Sequence, residues 1–145
     1  MFLIILEKTT EWTKIKFNSF IEAVYEKKHN LATDQLKVAL TNTLPNAANA
    51  VLADITEIAY TNLSSRNITT TSSSQTAGVY KLIVNDLTLS ATGSVATFRY
   101  VVVYNDTATN KELIGYFDYG SSISMVNGES LLIDFSAANG LLQDS

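Results

Sequence analysis

The stretch from Val95 to Tyr119 constrains the fold more than any other, because its first half has a long β-strand pattern. Bulky apolar residues occupy the alternate positions 98, 100, 102 and 104, and valines fill two of the positions between them. Asn105–Lys111 is polar and rich in turn-forming residues, and Leu113–Tyr119 has the pattern of a second strand returning beside the first. Because the first strand is apolar on both faces, we expect it centrally in a sheet or beneath a neighbouring subunit.

A helical pattern occurs near the N-terminus. Ser19 and Glu22 have the spacing of a capping box, and Asn30 is a suitable stop residue. The pattern predicts one amphipathic helix over about residues 16–29, with its apolar stripe facing the core. The residues of that stripe are Phe17, Phe20, Ile21, Val24 and Tyr25.

Short strand patterns follow at intervals along the rest of the chain, separated by turn residues. Asn85-Asp86 divides two apolar runs, which form either one bent strand or a tight pair. Residues 120–122 are expected to break the second strand of the hairpin, and Asn127-Gly128 favours a turn. The predicted strands outside the hairpin are Leu36–Thr41, Val79–Val84, Leu87–Ser90, Ile123–Met125 and Glu129–Ser136.

Two segments are ambiguous. Val51–Tyr60 is either irregular or contains a short helical turn capped by Asp54. Thr61–Gly78 is dominated by Ser, Thr and Asn, so we expect a long exposed loop or an edge ribbon, with a strand at Arg66–Thr70 as an option. Such a loop is a candidate for function through contact.

Together these patterns predict a mainly β protein. One N-terminal helix and about six to eight strands suit an antiparallel β-sandwich or a jelly-roll-like barrel, with the helix covering one end. A length of 145 residues suits a single domain with a substantial core. We divide the chain into an N-terminal arm or extra strand at residues 1–16 and one β-sandwich domain at residues 17–145.

The opening segment Met1–Leu6 is apolar but does not have the pattern of a signal peptide. No basic residue precedes the apolar run, and Glu7 and Lys8 follow it at once. The run is also far shorter than the roughly 20 apolar residues of a membrane span. We expect a short strand packed on the body. The alternatives are an apolar arm, Phe2–Leu6, that docks on another subunit, and a misread start of the natural product.

Composition argues against several functional classes. The net charge is −4 and the ten Lys and Arg residues form no stripe, so we expect no nucleic-acid partner. The absence of cysteine excludes disulfides, thiolate catalysis and Cys-ligated zinc.

Candidate catalytic residues are isolated in the sequence. His29 is the only histidine, and its neighbours supply neither a nucleophile nor an orienting acid, so we expect a surface or helix-end role. Asp54 and Glu57 come nearest to a carboxylate pair, and we expect a solvated cap instead. We therefore predict no enzyme activity, no cofactor, and no catalytic, cofactor-binding or metal-binding residue.

The order of several motifs is distinctive. A helix ending in His-Asn-Leu precedes a LKVALTN strand and a loop of Pro, Ala and Asn. An aromatic strand then runs into Tyr-Asn-Asp-Thr-Ala, followed by a Leu-Ile-Gly strand with Asp-Tyr-Gly and a closing strand before Gly-Leu-Leu. This layout, over residues 17–142, resembles a family of small virion proteins of tailed bacteriophages. The chain departs from the family at residues 60–66, where relatives tend to carry a Gly-rich segment.

The resemblance implies a virion component, assembled in the cytoplasm of the bacterial host. We expect a non-enzymatic capsid decoration (cement) protein that binds the outside of the head as a homo-oligomer and stabilises it. Its partner is then the major capsid protein, with neither nucleic acid nor membrane involved. The candidate contact elements are the N-terminal arm, the Ser/Thr-rich segment and the exposed face of the hairpin.

Two alternatives stay open at this point. The first is a neck, tail or fibre-base structural protein, whose partners are neck or tail proteins. The second, less favoured, is a carbohydrate-binding module in which aromatics such as Trp12, Tyr116 and Tyr119 stack on sugars. We expect these aromatics to be core or interface residues instead.

Overall fold

The computed structural model describes residues 3–7, as a backbone strand, and residues 15–145. Within these residues it contains ten β-strands, one α-helix and a 3-10 turn at Leu52–Asp54. The predicted mainly β class with one short helix near the N-terminus is confirmed. The helix α1 is Phe20–Tyr25, and the strands are β1 (Leu3–Glu7), β2 (Leu36–Thr41), β3 (Asn67–Ile68), β4 (Thr70–Thr76), β5 (Val79–Val84), β6 (Leu87–Ser90), β7 (Val95–Asn105), β8 (Leu113–Met125), β9 (Ser130–Asp134) and β10 (Leu142–Asp144).

The strands form three sheets. One has four strands in the order β3-β2-β7-β8, and the others have three, in the orders β10-β5-β4 and β1-β9-β6. All pairings are antiparallel except that of β1 with β9, which is parallel. Side chains from all three sheets meet in one hydrophobic core, so the four-stranded sheet packs against the two smaller ones. Phe20, Phe98 and Phe135 are among the largest fully buried side chains.

The strand β7 lies between β2 and β8, which confirms the central position that its two apolar faces predict. Val101 and Val103 face the main core, whereas Val102 and Tyr104 belong to a smaller cluster on the other side of the sheet. Residues of the same chain complete that cluster, so β7 needs no neighbouring subunit to bury its second face. They are Phe17, Ala39 and Leu113, with Leu52, Ile55 and Tyr116 packed against them.

The predicted break at residues 120–122 is wrong, because β8 runs without interruption from Leu113 to Met125. The register of the β7–β8 pairing shifts beside this point, so β8 carries extra residues there. Gly120 lies in the bulge with a φ of +94°, and its N–H donates to Asp118 Oδ1 over 2.7 Å. A glycine within a strand pattern indicates a bulge as readily as a strand end.

The turn at Asn127-Gly128 and the alternation of β9 are confirmed. Gly128 has a φ of +87°, as a tight turn requires. After it, Leu131 and Ile133 are fully buried in the main core, whereas Leu132 between them is partly exposed. The two-residue period therefore fixes which side of β9 faces inward.

The helix is much shorter than the prediction of residues 16–29. It ends in a Schellman motif, in which Lys27 has a φ of +63° and the N–H of Lys28 donates to the carbonyl of Ala23 over 2.9 Å. The stop therefore lies at Lys27, before Asn30. A lysine rarely adopts this conformation, so the sequence pattern does not reveal the stop. No helix in the described residues is long and apolar enough to cross a membrane.

Capping differs from the prediction at one place and agrees with it at another. Ser19 makes no side-chain hydrogen bond at the start of α1, so the predicted capping box is wrong. Asp54 Oδ2 accepts hydrogen bonds from the N–H groups of Ala50 and Val51 over 2.9 and 3.1 Å. These bonds lower the pKa of Asp54, and they confirm its role as the cap of a short helical turn.

The Ser/Thr-rich segment forms an edge ribbon, one of the two structures that its composition allows. Its strand β4 pairs antiparallel with β5. The turn residues Ala77 and Gly78 connect the two strands, and both have a positive φ. Two such residues form the type of turn that suits a tight hairpin. The optional strand at Arg66–Thr70 is present in part as β3, which pairs with β2.

The chain passes from one three-stranded sheet to the other after β5, and it returns to the first sheet in its C-terminal tail. The strands β5 and β6 lie in different sheets, so the prediction that they form one bent strand or a tight pair is wrong. The C-terminal tail forms β10 beside β5, and Leu141 and Leu142 are fully buried. Gly140 permits this approach, because it has a φ of +74° and a Cβ there would lie 2.6 Å from the carbonyl oxygen of Leu82.

Candidate functional site

The N-terminal arm is the first predicted contact element. The backbone of β1 pairs with β9 from Leu3 opposite Ser130 to Glu7 opposite Asp134. The arm is therefore a strand that borders its own domain, which was the primary expectation for this segment. Phe2 and Trp12 lie outside the described residues.

The Ser/Thr-rich ribbon is the second predicted contact element. Ser72 Oγ and Ser74 Oγ lie 3.2 Å apart along β4, and residues 74–76 are exposed. No residue between Arg66 and Lys81 carries a charge. The ribbon therefore presents a polar but uncharged strand at the edge of its sheet.

The exposed face of the central hairpin is the third predicted contact element. Its charged side chains bond to each other. Arg99 Nε donates to Asp118 Oδ1 over 2.7 Å and Nη2 to Oδ2 over 2.9 Å. The hydrogen bonds from Arg99, more than any other interaction, lower the pKa of Asp118. The hydroxyl oxygens of Thr97 and Ser124 lie 3.0 Å apart on the same hairpin. Because its charges are matched, this face offers a partner little unbalanced charge.

One side of α1 forms an exposed apolar surface, which we call the α1 patch. Its members Ile21, Val24 and Tyr25 are 47%, 37% and 84% exposed. The prediction that they face the core is wrong, because Phe20 and Ala23 line the buried side of this short helix. Three of the five large hydrophobic residues that are exposed in the described part of the chain lie in this patch.

A groove adjoins the α1 patch. Leu31 and Tyr80, both partly buried against the main core, line it together with the C-terminal residues. Its rim is polar, since Lys16 Nζ lies 2.7 Å from Asp144 Oδ1 and the hydroxyl of Tyr80 lies 2.9 Å from Ser73 Oγ. An apolar floor with a polar rim suits an inserted apolar side chain.

His29 is buried, with 8% of its surface exposed, so the predicted surface position is wrong. It follows α1, and its Nδ1 lies 3.0 Å from the side-chain amide nitrogen of Asn105. The same nitrogen donates to Asp34 Oδ2 over 2.6 Å. Asn105 Oδ1 accepts from the N–H groups of Thr107 and Ala108, which fixes the orientation of the amide. We call His29, Asp34 and Asn105 the polar cluster.

Burial in the polar cluster favours the neutral form of His29. Burial lowers the pKa of His29, the nearby carboxylates of Glu112 and Asp34 oppose this shift, and Lys28 adds to it. Nε2 of His29 and Oε2 of Glu112 are buried and have no hydrogen-bond partner within the described structure. The ring of His29 packs against Phe20 at a centroid distance of 5.4 Å. These contacts join the segment that follows α1 to the end of β7 and the loop after it.

The sequence did not predict that Asn105 contacts His29 and Asp34. The Asn-x-Thr order at Asn105 is typical of a side chain that bonds its own following backbone, which is the role its carbonyl oxygen has here. The contact with His29 joins residues far apart in the chain, and no local pattern encodes it. In the described part of the chain, no three His, Cys, Asp or Glu side chains are grouped as metal ligands.

Asp54 and Glu57 do not act as a pair. Asp54 caps the 3-10 turn, whereas Glu57 accepts a hydrogen bond from the hydroxyl of Tyr60. Burial raises the pKa of Tyr60, and the bond to Glu57 adds to the shift. The guanidinium carbon of Arg66 lies 3.6 Å from the centroid of the Tyr60 ring. Each carboxylate therefore has its own structural partner.

The aromatic residues considered for sugar stacking pack against other residues. Tyr116 lies 5.6 Å from Phe17 and 6.3 Å from Tyr100, measured between ring centroids. Tyr119 packs against the main core and is partly buried. These contacts favour the interpretation of both tyrosines as packing residues.

Comparison with known proteins found no relative. No family model, no curated protein and no solved structure matches this chain. The resemblance to virion proteins of tailed bacteriophages therefore stays a prediction that depends on the residues from 17 to 142.

Proposed function

We propose that this chain is a non-enzymatic structural protein of a tailed-bacteriophage virion. Within that class we assign it as a capsid decoration (cement) protein that binds the outside of the head as a homo-oligomer, with the major capsid protein as its partner. The proposal is supported by the motif order over residues 17–142 and by the surfaces of the described chain. It places the protein in the virion after assembly in the host cytoplasm.

The α1 patch is the observation that carries the proposal. Ile21 and Tyr25 are exposed, and outside the α1 patch the described residues have only two other exposed large hydrophobic side chains, Leu44 and Val126. Clustered exposed apolar residues beside a groove mark contact with another protein. The polar cluster supports the non-enzymatic assignment, since its hydrogen bonds are made to loops of the protein itself.

Stabilisation of the shell follows from binding alone. A protein that binds the assembled head and not its separated subunits favours the assembled state by mass action. Burial of the α1 patch against a capsid subunit contributes about 25 cal/mol for each Å² of apolar surface removed from water. No chemical step is required of the decoration protein.

The decisive measurement is the copy number of the protein in purified particles. Quantitative mass spectrometry is expected to find a copy number comparable to that of the major capsid protein. A few copies per particle would reject shell decoration in favour of the neck, tail or fibre-base alternative. Absence from particles would reject a virion role altogether.

The role of the α1 patch is tested by binding to heads that lack the protein. The double variant Ile21→Ser, Tyr25→Ser is expected to lose binding, because it removes the apolar contact surface. The control Val126→Ser also removes an exposed apolar side chain, 52% exposed, and is expected to retain binding. Equal binding by both variants would show that the patch is not the contact surface.

A further inference from the structure

Within the described residues, no strand pairs with the outer edge of β4. Only β5 borders β4 in its sheet. In a hairpin with a two-residue turn, the residues that flank the turn, Thr76 and Val79, exchange hydrogen bonds with each other. Every second residue then points its N–H and C=O the other way. Ser73 and Gln75 therefore direct these groups away from β5.

Among the other sheet edges of the described chain, β1 has five residues, and the rest are short or covered. The strands β3 and β10 have two and three residues. The N–H of Phe17 donates to the carbonyl of Ile114 at the edge of β8, which also carries a bulge. The N–H of Ser64 donates to the carbonyl of Ser90 at the end of β6. The strand β4 has seven residues and a bulge only at its first end, between Thr70 and Ser72. No segment of the described residues covers the edge that follows this bulge.

The sequence of β4 also lacks the residues that protect natural edges. Lysine, other charges and proline prevent exposed strands from pairing with another chain. From Asn67 to Tyr80 the chain has no charged residue and no proline. An exposed strand of this length without such residues is a template for one more strand.

We infer that β4 pairs antiparallel with β4 of a second copy across a two-fold axis. This contact joins the two β10-β5-β4 sheets into one continuous sheet. It deepens the proposed function by naming one interface of the assembly, and it rests on that function only for the premise that the chain works in multiple copies.

The chemistry of β4 selects a second copy as the partner. Antiparallel self-pairing sets hydroxyl and amide side chains against their own kind, and Ser/Thr pairs across strands are stabilising. No like charges meet, because β4 has none. Two-fold symmetric dimers are also the commonest homo-oligomers of soluble proteins. A charged strand from another protein would find no opposite charge on this edge.

Sedimentation of the purified full chain tests the pairing. Ser74 is exposed near the middle of β4, so Ser74→Lys brings two ammonium groups close together in the dimer. We expect a dimer for the unaltered chain and a dissociation constant raised roughly tenfold or more by Ser74→Lys. The exposed loop control Ser65→Lys is expected to dimerise as before. A monomeric unaltered chain, or an undiminished Ser74→Lys dimer, would overturn the inference.

A charge-swap experiment guards against a folding defect. Ser74 lies opposite Lys81 of its own chain, so Ser74→Lys sets two like charges side by side and Ser74→Glu gains an ion partner. Circular dichroism and thermal unfolding check that both variants remain folded. Mixing them is expected to restore dimers that contain one copy of each. Failure of the folded mixture to form such dimers counts against a β4 contact.

Crosslinking gives an independent measurement, because the chain has no cysteine. Ser74→Cys is expected to form a covalent dimer on mild oxidation, and the control Ser65→Cys to form much less. Equal yields would contradict the β4 contact. All three experiments use protein without particles, so their failure leaves the copy number per virion as a separate test of the proposed function.

Discussion

Asn105 holds His29 through its side-chain amide, whose nitrogen lies 3.0 Å from Nδ1 of the imidazole. The amide nitrogen can only donate, so Nδ1 accepts and the neutral ring carries its proton on Nε2. If Nδ1 also carried a proton, its N–H would face the amide N–H of Asn105 in a buried site, and neither donor would have an acceptor there. The stability of the fold is therefore linked to the protonation state of this histidine.

The first prediction concerns mild acid. Burial lowers the pKa of His29 below its ordinary value of 6.5, so between the two values the unfolded chain binds more protons than the folded one. The free energy of unfolding is therefore expected to fall as the pH drops from about 7.5 to about 5.5, by at most about 1.4 kcal/mol for each pH unit. Urea unfolding at several pH values measures the slope.

The matched control for this slope is His29→Gln, which keeps a polar side chain but does not titrate. Over the same pH range its stability is expected to change less than that of the unaltered chain. The carboxylates of Asp106 and Asp118 have lowered pKa values, so their contributions are lost only in stronger acid. Parallel slopes for the two proteins would show that His29 does not sense pH.

The second prediction concerns Asn105 itself. Asn105→Ala removes a fully buried amide and leaves His29 Nδ1 and the N–H groups of Thr107 and Ala108 without their partner. A buried group that loses its partner costs about 1–3 kcal/mol, which applies to His29 Nδ1. Thr107 is exposed and Ala108 half-buried, so their N–H groups can bond to water, and we expect a total loss of about 1–3 kcal/mol in unfolding free energy. Chemical denaturation measures it. Thr109→Ala, at an exposed position in the same loop, is expected to stay within about 0.5 kcal/mol of the unaltered chain. Similar losses for both would contradict the role of Asn105.

The third prediction compares two glycines. Gly140→Ala meets two penalties, the positive φ and a Cβ placed 2.6 Å from the carbonyl oxygen of Leu82. Gly78→Ala meets the first alone, because nothing lies within 4 Å of a Cβ there. We expect a loss of about 1–2 kcal/mol for Gly78→Ala and about 1–3 kcal/mol more for Gly140→Ala. Thermal unfolding ranks them, and the reverse order would contradict the packing of the tail against β5.

The fourth prediction separates the two sides of α1. Phe20→Ala removes a side chain that is 1% exposed, and it is expected to lower the unfolding free energy by about 3–5 kcal/mol. Ile21→Ser changes the adjacent exposed residue and is expected to cost less than about 1 kcal/mol. Comparable losses would mean that Ile21 is buried in solution, by the same chain or by another copy. Measuring unfolding at two protein concentrations distinguishes these cases.

Elements with a strict two-residue period were predictable from sequence. The alternation in β9 and the two apolar faces of β7 depend on positions along one strand, and the core contacts of Leu131 and Val101 agree with them. The hairpin partner β8 was identified for the same reason, apart from its bulge at Gly120. Local patterns determine such features because burial selects one face of a strand.

The features that were missed depend on residues distant in sequence or on unusual conformations. The helix stop uses a positive φ at Lys27, which side chains other than glycine seldom adopt. The tail became a strand because β5 offers it an edge, and three residues are too few to show a period. The α1 patch was mistaken for core, because hydrophobic spacing on a short helix does not show which side is covered.

The parallel pairing of β1 with β9 affects how the chain folds as it is made. Leu3 leaves the ribosome well before its partner Ser130, which lies 127 residues later in the chain (130 − 3). The sheet that contains β1 therefore closes only after β9 has been made, and contacts so distant in sequence slow folding. Until β9 has been made, β1 lacks its partner strand in its own chain and is free to pair with a strand of another chain.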